Sequence, residues 1–195
     1  LKWRKASVVF VCSMGDLFFF FFPFEFVDNV MDVISKTPQH TYQLLTKRAE
    51  RMAEYFSSRL IPQNVWLGVT VEDTLTKYRI DFLRNLSAQV KFLSCEPLLC
   101  DLGELDLEGV DWIIVGGESG PIARPMKEEW VLNIKRQAEQ KSIPFFFKQW
   151  GTWSKEGVKG NKKKNGKLLQ GEVIQQMPKV VHENFRNKDQ TKFWE

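Results

Sequence analysis

Six short apolar runs each stop at side chains able to move protons or grip polar groups. In chain order the run ends carry Ser13 with Asp16, Thr46-Lys47-Arg48, Thr70 with Glu72, Cys95-Glu96, Gly116-Gly117-Glu118-Ser119, and Lys148-Gln149-Trp150. Carboxylates beside lysines are the material of general acid–base catalysis and of polar small-molecule recognition. A glycine pair lets backbone come close to a ligand, and Glu118 follows it as an acceptor for a hydroxyl or an ammonium. The plain alternative is that strands end in polar residues because loops are solvated; six such ends together weigh against it. Gly116–Gly120 has neither the lysine of a phosphate loop nor G-x-G-x-x-G spacing, so no nucleotide motif is assigned. Trp150 and Trp153 offer surface for stacking a base, although packing at a barrel rim is the commoner use. His40 and His182 stand alone without metal-ligand spacing, and Cys95-x₄-Cys100 is a weak one.

These side chains share a site only if the runs are strands pointing the same way. The predicted strands are Ser7–Cys12, Thr41–Leu45, Val65–Val71, Val90–Ser94, Val110–Val115 and Pro144–Phe147. Most are near-continuous apolar runs, the pattern of parallel strands covered on both faces. Between them lie helical stripes: Phe26, Val27, Val30, Met31 and Ile34; Leu75, Tyr78, Phe82 and Leu86; Trp130, Val131, Ile134 and Ala138. A shorter helix fits Ala49–Phe56 through Met52, Ala53 and Phe56, and Asp73 or Thr74 is placed to cap the second stripe. Strand alternating with helix implies right-handed crossovers and a parallel α/β sheet. Pro97 to Gly109 is too short for a full crossover and predicts a loop or a single helical turn.

Charge is unevenly placed. Of a formal +4, residues 152–195 hold ten Lys or Arg against five Asp or Glu, so the α/β body is close to neutral. Any nucleic-acid contact would therefore run through the lysine-rich tail. Residues 155–167 read as a mobile hairpin tip or linker, 168–177 as a short hairpin, and the rest as a poorly ordered end. Three scattered cysteines suit ordinary reduced thiols. No secretory signal and no apolar stretch near the roughly 18 residues of a membrane span appear, which points to the cytoplasm. The chain starts at Leu1 with a strand following almost at once, which reads as an incomplete N-terminus. Phe18 to Phe22 fit no helix or strand period; they are either a buried cluster or an error in the recorded sequence.

Five segments in register carry a family resemblance: Gln39–Arg48 (QHTYQLLTKR), Asn64–Glu72 (NVWLGVTVE), Leu93–Leu99 (LSCEPLL), Gly116–Gly120 with Ala123-Arg124-Pro125-Met126, and Phe146–Gly151 (FFKQWG). Over about residues 8 to 178 they resemble the phage-associated gp thirty-seven/gp sixty-eight family. That resemblance implies a parallel-stranded partial (β/α) barrel of about six strands, similar to radical S-adenosylmethionine proteins, over residues 1–153, and a small basic appendage over 154–195. It also implies S-adenosylmethionine and an iron–sulfur cluster in the intact protein, with cluster cysteines lying before Leu1. None of Cys12, Cys95 or Cys100 stands in their place, and Phe19 and Phe20 replace a His-Glu-like pair of the relatives. On this reading Gly116, Gly117, Glu118 and Ser119 lie near the cofactor with Glu72 and Arg48, and Glu96, Lys148 and Lys47 face a small-molecule or nucleic-acid substrate. Two alternatives stand beside it: a cluster-independent barrel enzyme using Glu and Lys as acid and base, and a phage-related nucleic-acid-binding protein acting through its tail.

Overall fold

The apolar runs become six strands in a computed structural model, which describes residues 4–179. They are β1 Val8–Val11, β2 Thr41–Thr46, β3 Val65–Thr70, β4 Val90–Cys95, β5 Trp112–Gly116 and β6 Phe145–Gln149. All pair in parallel, in the order β1-β2-β3-β4-β5-β6. An order without reversal keeps every right-handed crossover on one face, so the sheet curls away from its helices into a half-barrel.

Side-chain parity separates the two faces. Val65, Leu67, Val69, Leu93, Ile113, Val115, Phe145 and Phe147 point outward and join the helices in the main core. Those helices are α1 Phe24–Ser35, α2 Ala49–Phe56, α3 Arg79–Arg84 and α4 Glu128–Gln140. Trp66, Val90, Phe92, Trp112, Ile114 and Phe146 point inward and form a second, strand-only cluster that lines the concave face. Gly68 is part of that layer: a Cβ there would lie 2.3 Å from the Phe92 ring, so the ring lies against the bare backbone of β3.

The predicted stripes hold on α2 and α4, where Met52, Val131, Ile134 and Ala138 are buried. On α1, Val27, Met31 and Ile34 are buried while Phe26 is exposed and stacks on Phe22. The Leu75 stripe is corrected in its first half: Phe82 and Leu86 pack against the core, but Leu75 and Tyr78 are exposed. Asp73 and Thr76 form a capping box that closes a 3₁₀ turn over Thr74–Thr76, and the helix starts again only at Arg79. The turn shifts the helical phase, so Ile80 and Leu83 face the core and Leu75 is 83% exposed.

Residues 97–109 form no helix. Leu98, Leu102, Leu105 and Leu107 anchor this loop in the core. Two long polar side chains hold its backbone: Lys77 Nζ donates to the Leu102 carbonyl at 3.0 Å, and Gln137 accepts from Leu105 N at 2.8 Å and donates to Gly103 O at 2.9 Å. That role explains a buried glutamine on the core face of α4.

The lysine-rich segment begins as the predicted hairpin tip, with Trp153 and Lys159 bridged antiparallel, and then folds back on the body. Ser154 N donates to Val158 O at 2.9 Å, Gly160 N to Thr152 O at 2.7 Å, and a one-turn helix, α5 Lys162–Asn165, is capped by Asn161. The predicted hairpin follows as β7 Leu168–Leu169 and β8 Glu172–Val173, antiparallel. Beyond it, Phe147 N donates to Ile174 O and Gln176 N to Phe145 O, which covers the open edge of β6. Of the five phenylalanines only Phe18 is buried; Phe20 and Phe21 are 59% and 74% exposed. The poorly ordered end and His182 lie outside the described residues. Among the described residues no helix is long and apolar enough to cross a membrane.

Burial pushes the Cys95 thiol up to about 12. The exposed Cys12 thiol is raised too, by partial burial and the Asp16 carboxylate. Thiolates are the species that alkylate. Native protein treated with iodoacetamide near neutral pH is therefore expected to stay unmodified at Cys95 while Cys12 labels slowly, as peptide mass spectrometry would show. Labelling of Cys95 at the rate found in denaturant would contradict its placement.

Candidate functional site

Six parallel strands end at the same rim, and a cavity of about 470 Å³ opens there on the concave face. Its apolar floor is Phe10, Leu45, Phe92 and Ile114. Its polar wall includes Asp16, Lys47, Thr70, Ser94, Glu96 and Lys148, with Cys12 and Thr46 beside them. Strand parity accounts for the set: Phe92, Ser94 and Glu96 alternate on the inner face of β4 and its extension, and Phe146 and Lys148 do so on β6.

The centre of the wall is an ion pair between two strands that are not neighbours. Lys148 Nζ on β6 donates to Glu96 Oε2 at 2.8 Å, and Gln149 Nε2 donates to Glu96 Oε1 at 3.1 Å. The side chains are 18% and 19% exposed. They meet over β5, where the intervening residue is Gly116; a Cβ there would press on the Glu96 carboxyl carbon at 3.0 Å. Gly116 thus leaves the space in which β4 and β6 join their charges.

Asp16 acts as a fastener. It accepts from Thr46 Oγ1 at 2.7 Å, from Lys47 N at 3.0 Å and from Phe18 N at 3.0 Å, tying the loop after β1 to the end of β2. Lys47 Nζ pairs with Glu72, which also receives Arg79 at 3.4 Å; Arg79 donates at 2.7 Å to the carbonyl of Thr70. Arg48 reaches the other way, with its guanidinium 5.5 Å from the centre of the Phe19 ring.

The predicted site residues therefore divide. Glu96, Lys148 and Lys47 line the cavity together. Gly116 shapes it from beneath, and Glu72 holds Lys47 from outside. Arg48, Gly117, Glu118 and Ser119 do not line it. Gly117 meets backbone: a Cβ would fall 2.0 Å from the Trp150 carbonyl oxygen. Glu118 is held by Arg124, which donates to Oε1 from NH2 at 2.9 Å and to Oε2 from Nε at 2.9 Å and from its backbone N at 2.8 Å. Trp150 is a packing residue, 2% exposed against Phe147, with its ring N–H on the Leu168 carbonyl. Ser94 and Gln149 were given no role from sequence, although period-two alternation back from Glu96 puts Ser94 on the same face.

The Arg124 side chain and its backbone N–H hold the Glu118 carboxyl at about 2, against an ordinary 4.5. A carboxyl depressed by folding adds stability above its ordinary range, and that stability is lost as pH falls through the folded value. Between about pH 4.5 and 2 the wild type is expected to lose stability more steeply than Glu118→Gln, measured by urea unfolding at each pH. Parallel curves would show that the Arg124 pairing does not couple to folding.

Among the described residues no group of three His, Cys, Asp or Glu is arranged to hold a metal ion. A family model described as "Protein of unknown function (DUF5131)" matches residues 1–178. No curated protein and no solved structure matches the chain.

Proposed function

Because the chain belongs to the DUF5131 family, its chemistry has to be read from the cavity, and we propose that it is the ligand-binding half-barrel of a small-molecule enzyme. The observation that carries this is the Glu96–Lys148 pair, assembled from β4 and β6 across Gly116 in the wall of a cavity of about 470 Å³. That volume lies in the range of small-molecule sites, and an apolar floor with few convergent polar groups is their usual composition.

S-adenosylmethionine, the cofactor implied by the resemblance to the phage gp thirty-seven/gp sixty-eight family, fits the donor set. Glu96 and Lys148 complement its amino and carboxylate groups, and Phe10 and Phe92 offer flat apolar surface to its adenine. When bound it supplies a sulfonium carbon–sulfur bond open to cleavage. The residues of this chain bind and orient: Lys148 neutralises an anionic group, Gln149 holds Glu96 in place, and the Phe92 layer keeps water from below. An iron–sulfur cluster does not fit the thiols present. Cys95 is wholly buried toward the helices and Cys12 is at the rim, so no step is drawn through a cluster.

A second reading, acid–base catalysis without a cluster, is favoured by the same pair, because a carboxylate and an ammonium within hydrogen-bond reach can pass a proton to and from a ligand unaided. Free cysteines suit a reducing cytoplasm. A weak nucleic-acid contact would use Lys162, Lys163 and Lys164, exposed together on α5, and would weaken steeply with salt.

Calorimetric titration with S-adenosylmethionine tests the proposal. Saturable one-site binding is expected, weakened at least about tenfold by Lys148→Met, the loss of one charge-assisted hydrogen bond. Heats indistinguishable from dilution would remove the cofactor; affinity unchanged by Lys148→Met would remove the site.

A further inference from the structure

We propose that the inner wall of the cavity is a subsite for an uncharged hydroxylated ring, a sugar or the ribose of a nucleoside. This names the ligand class of the site above and rests on that cavity being a ligand site. Its basis is a pair of hydroxyls that the fold leaves unused. Thr70 on β3 and Ser94 on β4 are register partners on the concave face, 3% and 4% exposed, and both line the cavity. Neither side-chain hydroxyl is hydrogen-bonded to any described residue, and neither oxygen is sealed off: both open to the cavity, where a ligand can reach them. Lying on adjacent strands about 4.8 Å apart, they bracket the space that two neighbouring ligand oxygens would fill.

The charges narrow the ligand further. Asp16, Lys47, Glu96 and Lys148 line the cavity with two of each sign. Asp16 is taken by Thr46 and the backbone of Lys47, Lys47 by Glu72, and Glu96 by Lys148 and Gln149. The lining has no surplus of cations to hold a phosphate, so phosphorylated ligands are disfavoured. Hydroxyls that donate and accept match alcohols that do the same. Beside them Phe92 and Ile114 form an apolar surface, suited to the C–H face of a ring. Phe92 is fixed there because its ring fills the space above Gly68.

The test is calorimetric binding of adenosine, 2′,3′-dideoxyadenosine and D-ribose to the full chain, to Thr70→Val and to Ser94→Ala. Both substitutions are small, and an unchanged melting midpoint certifies the fold. Adenosine is expected to bind at least about tenfold tighter than the dideoxy analogue, the worth of one or two ligand hydrogen bonds. That preference is expected to shrink to about twofold in either variant, as one bracketing hydroxyl is lost. Saturable ribose binding lost in the same variants identifies a free sugar; adenosine binding without it identifies a nucleoside. Equal affinity for both nucleosides with no ribose binding overturns the inference, as does a preference that survives both substitutions. The two proposals fail separately. A hydroxyl preference beside S-adenosylmethionine affinity unchanged in Lys148→Met leaves the subsite and removes the ion pair's role, whereas S-adenosylmethionine binding lost in Lys148→Met without any hydroxyl preference does the reverse.

Discussion

Gly117→Ala is expected to lower stability by about 3 kcal/mol, the scale of a large core truncation, and Gly151→Ala by at least as much. A Cβ on Gly117 would sit 2.0 Å from the Trp150 carbonyl oxygen and 2.7 Å from its carbon, so backbone would have to move. That backbone is not free to move: Gly117 N donates to Gln149 O at 2.9 Å, and Thr152 N to Glu118 O at 2.9 Å. Gly151 adds a second cost. Its φ is +81°, in the region that L side chains avoid, and its Cβ would lie 2.2 Å from Glu118 O. In thermal unfolding each change should appear as a drop of about 6–12 °C. Gly15 is the control, since a Cβ there meets nothing within 4 Å, and Gly15→Ala should move the midpoint by less than about 2 °C. Equal midpoints for Gly117→Ala and Gly15→Ala would mean that the segments leaving β5 and β6 do not approach each other as described.

The second large effect belongs to the ion pair. Glu96→Leu and Lys148→Met each strand a charge in a wall whose side chains are about one-fifth exposed. Removing one partner of a fully enclosed pair costs about 3–5 kcal/mol; with solvent reaching this one, about 1–3 kcal/mol is expected for each single change. The double variant should lose less than the sum of the singles, with a coupling of about 1 kcal/mol or more in urea unfolding. Additive losses would show that the two side chains do not pair in solution. Gly116→Val offers an independent route, because its side chain would occupy the space over β5 where the charges meet. It should lower stability without removing either charge.

The strands were legible mainly because the inner runs, β3 and β5 above all, are buried on both faces and read as continuous apolar stretches; β1, at the sheet edge, is only partly buried. The α2 helix was read at its observed bounds, Ala49–Phe56, from Met52, Ala53 and Phe56. The shared rim, and with it Glu96 and Lys148, follows from parallel strands ending on one side. Features set by distant partners were not legible. Leu75 looked like a helix face until the Asp73–Thr76 box broke the phase. Gln137 is buried because a loop more than 30 residues away needs its amide. Gly116 and Gly117 looked like a place for ligand to approach; the visitors are the Glu96 side chain and the Trp150 backbone. A glycine records that something comes close, and only the tertiary arrangement says what. Glu118 carried the same ambiguity, with its partner Arg124 six positions on.

The most direct measurement is a thermal-shift screen of polar small molecules against the full chain, Lys148→Met and Lys163→Ala. If ligands enter between β4 and β6, compounds that raise the wild-type midpoint will raise that of Lys163→Ala equally and leave Lys148→Met unmoved. Compounds that stabilise Lys148→Met as well as wild type but fail on Lys163→Ala would move the binding site to the basic appendage and contradict the account.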